Sequence, residues 1–452
     1  MVPFLECYVD EVAEPVTLID VMRADSNSGT NDVEVTHRRF SNAKDIQEYF
    51  KNPESDNFRD RYISICQGHS WDPLEITASM LESLTEACGL GTLVLDLTTS
   101  FYRRVREIEE TFCIPLTECT DGSLTVISYT MRYPELKPIQ NDWVMRQSGI
   151  YHKLDATKSQ NTYILLSPSP DSKLKKQAEH DLFNCYQTIE NNPFWLHIMF
   201  QELCLPNWRS YNASLERKFL PMADTAAHTF IDELTESQYS HLTDLADLEN
   251  RFLQTSIILT ASQDVIDCLI TICADLRDLS MACEKQVQIL KRRFQHGQRV
   301  CAANHRTATY LHQRSRTTAQ LLANALSFRE QLESRAQNNN MLSLNRSAVF
   351  ITTLTLLYLP PSFIATFFGM NFFDLDTDTG RIVGSSMIWI FVLSSGILTA
   401  ITFTVYRLLL GGNMDARVTE TAKRLHTWGK HQIQHLGRKR GLLGEKMLHA
   451  SV

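Results

Sequence analysis

An asparagine at the end of a long apolar run is the first residue in this sequence whose chemistry stands out. Residues 358–380 read YLPPSFIATFFGMNFFDLDTDTG, so Gly369, Met370 and Asn371 close a membrane-length segment. The Asn371 side chain offers an uncharged carbonyl oxygen, and a ring of such oxygens would hold a cation through its water shell. Mg²⁺ loses its waters reluctantly and suits a neutral polar ring of this kind. Asn371 is therefore the first candidate ligand for a metal ion, and Gly369 lets the backbone leave the helix there.

Three aspartates, Asp374, Asp376 and Asp378, follow this tripeptide. Repeated around a shared axis, they would concentrate cations at the mouth of a pore; a solvated loop explains them equally well. The string DLDTDTG also begins like an EF-hand loop. Its sixth position is Thr379 and its twelfth is Ser385, which excludes that calcium site.

A stripe of small and hydroxyl-bearing residues runs along the apolar segment before the tripeptide. Alternating steps of four and three give Asn345, Ala348, Thr352, Thr355, Leu359, Ser362 and Thr366. This heptad spacing is the seam of a left-handed helix bundle, and small residues also join membrane helices. The same face continues upstream through Met341, Asn338, Ser334, Gln331 and Ser327. That polar continuation favours a water-filled axis shared by several copies of the chain, hence a homo-oligomer.

Two segments are long and apolar enough to cross a lipid bilayer. Residues 348–368 carry no charge, and residues 387–410 carry only Arg407, near one end. Residues 369–386 form the short loop between them. Basic residues concentrate outside the hairpin, so the positive-inside rule places both termini in the cytosol and the loop outside.

The remaining segments predict a soluble region of two kinds. Residues 1–171 mix strand-like runs at 61–66, 91–98, 124–133 and 162–169 with a helix at 72–88 capped by Asp72, which predicts an α/β or α+β domain. Residues 172–297 are helical, and 298–368 form a stalk helix that continues into the first span. Residues 411–452 form a basic cytosolic tail.

Gly297 separates two long tracts that lack glycine and proline, which predicts a helical hairpin at that point. The first tract is acidic over residues 232–249, and the second is basic over residues 291–316. Two interpretations stay open. Either both charged faces are solvated, or the acidic helix lies along the basic one.

Composition removes several classes of function. A net charge of −8 disfavours a nucleic-acid partner, and eleven cysteines without a CxxC pair disfavour disulfides or a zinc ribbon. No GxxxxGK[ST], HExxH or GxSxG motif is present, so we expect neither an ATP-driven pump, nor an enzyme, nor an organic cofactor. The N-terminal sequence lacks a secretory or mitochondrial presequence. We therefore expect the plasma membrane rather than the mitochondrial inner membrane.

The order of these segments resembles that of the CorA family of divalent-cation channels. The order is a long helix, a span ending in Gly-Met-Asn, an acidic loop, a second span and a basic tail. The resemblance covers about residues 300–417, and Pro360–Pro361 with the large N-terminal region are similar to its fungal branch. It implies a CorA-like funnel: a homopentamer whose first span lines the pore and whose filter is Gly369, Met370 and Asn371. It further implies polar rings at Ser362 and Asn345, apolar constrictions at Leu359 and Ile351, and Mg²⁺ as both transported ion and regulatory ligand.

The chain departs from the family pattern on both sides of the tripeptide. Phe368 stands where the family usually has tyrosine, and FDLDTDT replaces the usual Met-Pro-Glu. Passive Mg²⁺ transport is the leading hypothesis, since a divalent ion gains about 4.6 kcal/mol per 100 mV of membrane potential. There are two alternatives. One is transport of Zn²⁺, Co²⁺ or Ni²⁺ by the same fold, and the other is a non-conducting, membrane-anchored signalling or scaffold protein.

Overall fold

The computed structural model describes residues 6–22, 34–104, 113–137, 141–228, 237–275, 284–368, 373–375, 382–384 and 388–406. The Gly-Met-Asn tripeptide and the basic tail lie outside these ranges. The described residues divide between Arg329 and Glu330 into two compact units. Each unit is described by itself below.

A seven-stranded mixed sheet forms the centre of the first unit. Its strands are β1 (Val16–Met22), β2 (Val35–Phe40), β3 (Phe58–Cys66), β4 (Thr117–Asp121), β5 (Leu124–Lys137), β6 (Asp142–Asp155) and β7 (Gln160–Ser167). The spatial order is β2-β1-β3-β7-β6-β5-β4. Only β3 and β7 run parallel, with Ile63 opposite Ile164, and the other neighbours are antiparallel.

The helices of the first unit cover both faces of the sheet. They are α1 (Ala43–Phe50), α2 (Ala78–Cys88), α3 (Leu93–Thr98), α4 (Lys173–Asn184), α5 (Tyr186–Ile189), α6 (Trp195–Cys204), α7 (Asn207–His228), α8 (Ser237–Asp275) and the first part of α9 (Glu284–Phe368). Ile63 packs in one apolar cluster with α1 to α3, and its neighbour Tyr62 packs in the other with α4 and α6 to α9. Because successive strand residues point to opposite faces, both faces are buried and the strands are continuously apolar.

Two predictions in this region are wrong. Residues 91–98 are not a strand, because Leu93–Thr98 form α3; Val94 and Leu97 are buried while Leu95 is 41% exposed, a helical rather than an alternating pattern. The helix predicted at 72–88 begins only at Ala78, where the Thr77 hydroxyl accepts a hydrogen bond from the Met80 amide at 3.2 Å. The residues before it are held at the sheet, since the Glu75 amide donates to the Cys66 carbonyl at 2.7 Å.

The predicted hairpin at Gly297 is also wrong, because α9 runs through that position without a break. Gly297 lies against α6 instead. A Cβ atom there would lie 2.4 Å from Gln201 Oε1 and 3.2 Å from Leu205 Cδ1. A larger residue would require the Gln201 and Leu205 side chains to shift, so the absence of a side chain at this helical position allows α6 and α9 to approach closely.

Helices α8 and α9 lie side by side and antiparallel. The Ser315 hydroxyl donates to the Leu245 carbonyl at 3.3 Å, and Ser256 and Thr309 share a hydrogen bond of 3.2 Å. Further along, Gln298 donates to the Asp267 carboxylate. Both interpretations left open therefore hold in part: the two helices lie along each other, while charged side chains such as Asp244, Asp247 and Arg306 stay exposed. Apolar packing joins these two helices, with Phe252 of α8 and Phe294 of α9 fully buried in the same core.

A buried chain of polar side chains attaches α6 to the sheet. Asn161 donates to Asp60 Oδ1 at 2.7 Å, so its own oxygen accepts from His152 Nε2 at 3.4 Å. His152 Nδ1 then accepts from His197 Nε2 at 3.1 Å, and His197 Nδ1 accepts from the Tyr129 hydroxyl at 2.8 Å. With both rings neutral, this order places one proton on each imidazole, at Nε2 of His152 and at Nε2 of His197.

Burial disfavours the charged form of both imidazoles. It lowers the pKa of His152 to about 4, and burial together with the neighbouring His152 lowers the pKa of His197 well below its usual value. Sequence reasoning missed this network, because four strands and a helix supply it, from Asp60 to His197.

We expect the protein to lose stability as the pH falls from about 6.5 towards 4. In that window the unfolded chain takes up protons on these two histidines and the native state does not, so the unfolded state is favoured. For His152 alone, complete passage through the window lowers the free energy of unfolding by about 3 kcal/mol. Thermal unfolding of the detergent-solubilised protein between pH 7.5 and 4.5 measures this effect.

His152→Gln should lower the unfolding temperature at pH 7.5 and flatten its dependence on pH. His69 is exposed, so His69→Gln should leave the pH dependence of the wild type unchanged. An equally steep loss in His152→Gln would show that the acid sensitivity comes from other groups.

Candidate functional site

Three described helical segments are long and apolar enough, by length and composition, to cross a membrane. They lie within Ser240–Asp275 of α8, within Glu284–Thr366 of α9 and in α10, which comprises Ile388–Tyr406. The most apolar stretch of α8 is 44% buried inside the protein, against 6% in each of the other two. Apolar side chains of α8 such as Leu259 and Ile266 belong to the core of the first unit. Of these three segments, the last part of α9 and α10 are therefore the two whose apolar side chains are mostly exposed.

Every residue predicted to line a pore is exposed on α9 in the single chain. This holds for Asn345, Ala348, Ile351, Thr352, Thr355, Leu359, Ser362 and Thr366. The side chains of α9 that are covered within the second unit lie on another face, and they include Leu356, Pro360 and Ile364. That covered face lies roughly 100° around the helix axis from the stripe. The stripe is therefore available for contact outside this chain.

The four hydroxyls of the stripe all donate to carbonyls of their own helix. Thr352 donates to Ala348 at 2.8 Å, Thr355 to Thr352 at 2.8 Å, Ser362 to Leu359 at 2.9 Å and Thr366 to Ser362 at 2.8 Å. With its proton used in this way, each oxygen keeps its lone pairs for an outside donor. The stripe is thus a row of neutral acceptors, which matches the protons that a hydrated cation presents.

The two prolines are accommodated inside α9. The helix continues through Pro360 and Pro361 to Phe368. Neither proline has an N–H, so the carbonyls four residues earlier, those of Leu356 and Leu357, lack their usual helical donor. Two backbone acceptors are consequently freed at the level of the stripe between Leu359 and Ser362.

The segment after α9 is described only in part. Gly369, Met370, Asn371, Asp376 and Asp378 lie outside the described residues. The remaining aspartate of the three, Asp374, lies in a short strand, β8 (Phe373–Leu375). This strand pairs antiparallel with β9 (Ile382–Gly384). The loop predicted between the two spans thus contains a small hairpin, which its sequence did not reveal.

One group of side chains in the described part of the chain has donor atoms close enough to hold a metal ion. The ligand atoms of His180, Asp181 and Cys185, at the end of α4, lie within 4.8 Å of one another. Nitrogen and sulfur donors are unlike the oxygen ligands that Mg²⁺ prefers. The cluster therefore does not fit the ion predicted for the stripe.

The cysteines in the described ranges are free thiols, in agreement with the sequence. Burial raises the pKa of Cys66 to about 11 and that of Cys301 to about 12. These thiols stay protonated at neutral pH and act as small apolar core residues.

Two family profiles match this chain. The profile of the CorA-like Mg²⁺ transporter protein matches residues 209–407, and that of the CorA-like transporters matches residues 120–227. Among curated protein sequences, none matches.

Several solved structures are similar to the chain. The CorA magnesium transporter from Methanocaldococcus jannaschii shares 13% identity over 87% of this chain and 97% of its own, with a TM-score of 0.34. Full-length CmaX shares 14% identity over 90% of this chain and 99% of its own, with a TM-score of 0.41. The ZntB cytoplasmic domain from Vibrio parahaemolyticus RIMD 2210633 shares 9% identity over 70% of this chain and 98% of its own, with a TM-score of 0.38. The two profiles together span residues 120–407 of 452, and both support the CorA-type divalent-cation transporter family for this chain.

Proposed function

We propose that the protein is a passive Mg²⁺ channel, formed by five copies of the chain around a pore lined by the stripe of α9. The observation that carries the proposal is the exposed row of neutral oxygen acceptors on a helix that leads directly to Gly369-Met370-Asn371. Members of the CorA-like family are homo-oligomeric channels or transporters and not enzymes. One chain offers a single such row, so several copies are needed to enclose an ion path.

The conduction path follows from the chemistry of the acceptors. Asp374, Asp376 and Asp378 attract cations to the mouth, and the Asn371 carbonyl oxygens hold a hydrated ion there. The hydroxyls at Thr366, Ser362, Thr355 and Thr352 then accept hydrogen bonds from the water shell as the ion moves inwards, with Asn345 as an inner ring. Leu359 and Ile351 are the apolar constrictions. Membrane potential supplies the driving force.

The family consists of integral membrane proteins with apolar C-terminal helices. For this chain we propose two spans, 348–368 and 387–410, with both termini in the cytosol and the second span facing lipid. The plasma membrane is the proposed location. Mg²⁺ bound to the cytosolic region is the proposed regulatory ligand, and no organic cofactor is required.

A second candidate is transport of Zn²⁺, Co²⁺ or Ni²⁺ through the same pore. The observation that favours it is the unusual FDLDTDT string, because carboxylates at the mouth bind transition metals as well as Mg²⁺. A non-conducting scaffold is the third candidate, and it would require neither the hydroxyl stripe nor the Gly-Met-Asn tripeptide.

Asn371→Ala should reduce Mg²⁺ flux into proteoliposomes at least tenfold, because it removes the ring of carbonyl oxygens that holds the hydrated ion. Asn339 lies on α9 but off the stripe, so Asn339→Ala is the control and should conduct normally. Unchanged flux in Asn371→Ala would contradict the assignment of the filter. No flux in the wild type under a membrane potential would support the scaffold.

A cysteine at a stripe position should make the channel sensitive to a charged, water-soluble thiol reagent. Thr355→Cys should lose most of its flux on treatment, because a pore-facing thiol is reached by water and the attached cation blocks the path. Leu357 is 47% exposed and lies off the stripe, so Leu357→Cys should lose little. The untreated variants and treated wild type correct for the native cysteines. Equal block of both variants would argue against the stripe as the pore wall.

The ion preference is decided by flux of Mg²⁺, Zn²⁺, Co²⁺ and Ni²⁺ measured separately at equal concentration and potential. We expect Mg²⁺ to be carried at least as fast as the others, since every described stripe acceptor is a neutral oxygen. Faster Zn²⁺ flux, with Mg²⁺ acting only as a blocker, would favour the second candidate over the first.

A further inference from the structure

We propose that the groove between α6 and α9 in the first unit binds a small organic anion with an apolar body and a carboxylate head. The proposal is independent of which ion the protein conducts. One face of each helix forms the groove, with Ile198 and Leu205 on α6 and Ile289 and Val300 on α9. Its volume of about 540 Å³ lies in the range of small-molecule sites.

A buried amide without a partner lies in the wall of this groove. Gln201 is only 4% exposed, and its Nε2 has no hydrogen-bond partner among the described residues. Its oxygen lies over Gly297, where any Cβ would collide with it. The proposal requires the alternative orientation of this amide, related by a half-turn, in which the N–H₂ group takes the place of the oxygen beside Gly297. Because an unpaired buried donor is unfavourable, a ligand oxygen at this position would be stabilised.

The rim of the groove carries an excess of positive charge. Arg293 pairs with Glu202, with its Nη2 at 2.7 and 2.8 Å from the two carboxylate oxygens, so its charge is neutralised. Arg292 also lines the groove, and no carboxylate partner for it occurs within the described part of the chain. His296 lies one turn further along. A guanidinium beside an amide donor recognises a carboxylate, and the apolar walls recognise a hydrocarbon body.

Photolabelling of the full-length protein in lipid nanodiscs tests this site. The probe is a decanoic acid that carries a diazirine in its chain, and labelled peptides are located by mass spectrometry. We expect labels on α6 and on residues 289–300 of α9, in addition to labels from the membrane-dissolved probe on the apolar C-terminal helices. Unlabelled decanoate should compete for the groove peptides, and decan-1-ol at equal concentration should compete at least fivefold less.

Variants identify which groups bind. Arg292→Gln should lower groove labelling at least fivefold while leaving the C-terminal labels unchanged. Arg299 is exposed on the same helix and does not line the groove, so Arg299→Gln should label like the wild type. Gln201→Leu removes the amide donor and should also lower labelling. The unfolding temperature of each variant shows whether it is folded.

Three results would overturn the proposal. Equal competition by decan-1-ol would mean that the groove is an unspecific apolar surface. Unchanged labelling in Arg292→Gln would mean that the head group is not recognised there. An absence of groove labels in the folded wild type would mean that a second copy of the chain or another part of it covers the groove. Each of these readouts is independent of ion flux, so none depends on the proposed channel function.

Discussion

The contact between α6 and α9 at Gly297 is the constraint on which the first unit depends. There the Gln201 amide lies where any larger residue on α9 would place its side chain. Helix α6 is held to the sheet from its other side by His197, which is hydrogen bonded to both Tyr129 and His152. Helix α6 thus lies between α9 and the sheet and sets the position of α9. It contacts α9 at Gly297, and it contacts the sheet through the neutral imidazoles of His197 and His152.

This arrangement explains why the long apolar helix α8 is part of the core. With α9 fixed by α6, an antiparallel partner can bury a continuous apolar face along it. The side chains of Phe252, Leu259 and Ile266 of α8 are buried in this way. By composition alone α8 resembles a membrane span as closely as α9 does. Its apolar side chains have protein partners, whereas those on the last part of α9 and on α10 have few within the chain.

Sequence reasoning succeeded where a local pattern determines the structure. The β-branched and aromatic runs that became β3, β5 and β7 were recognisable, and so were the long helices and the apolar C-terminal runs. It failed where a contact between residues far apart in the chain determines the local structure. Gly297 suggested a break because its partner Gln201 is almost a hundred residues away, and the apolar run at 91–98 suggested a strand because length and composition do not distinguish a short buried helix from a strand. The hydroxyl stripe is exposed on α9 in the single chain, but its role as a pore wall and that of the tripeptide as a filter both stay predictions.

The chemistry of the stripe bears on the proposed choice of ion. Zn²⁺, Co²⁺ and Ni²⁺ bind most strongly to imidazole and thiolate, which offset the loss of their waters. The stripe from Asn345 to Thr366 contains neither histidine nor cysteine, and its hydroxyl protons are already donated to the helix backbone. Such a wall offers hydrogen bonds to a water shell and no ligand strong enough to replace it. In the proposed pore such a wall suits an ion that keeps its water shell, and Mg²⁺ dehydrates reluctantly and usually keeps several waters. In the proposed path, the aspartates after the tripeptide would act on the ion before it reaches the stripe, so they would not reverse this preference.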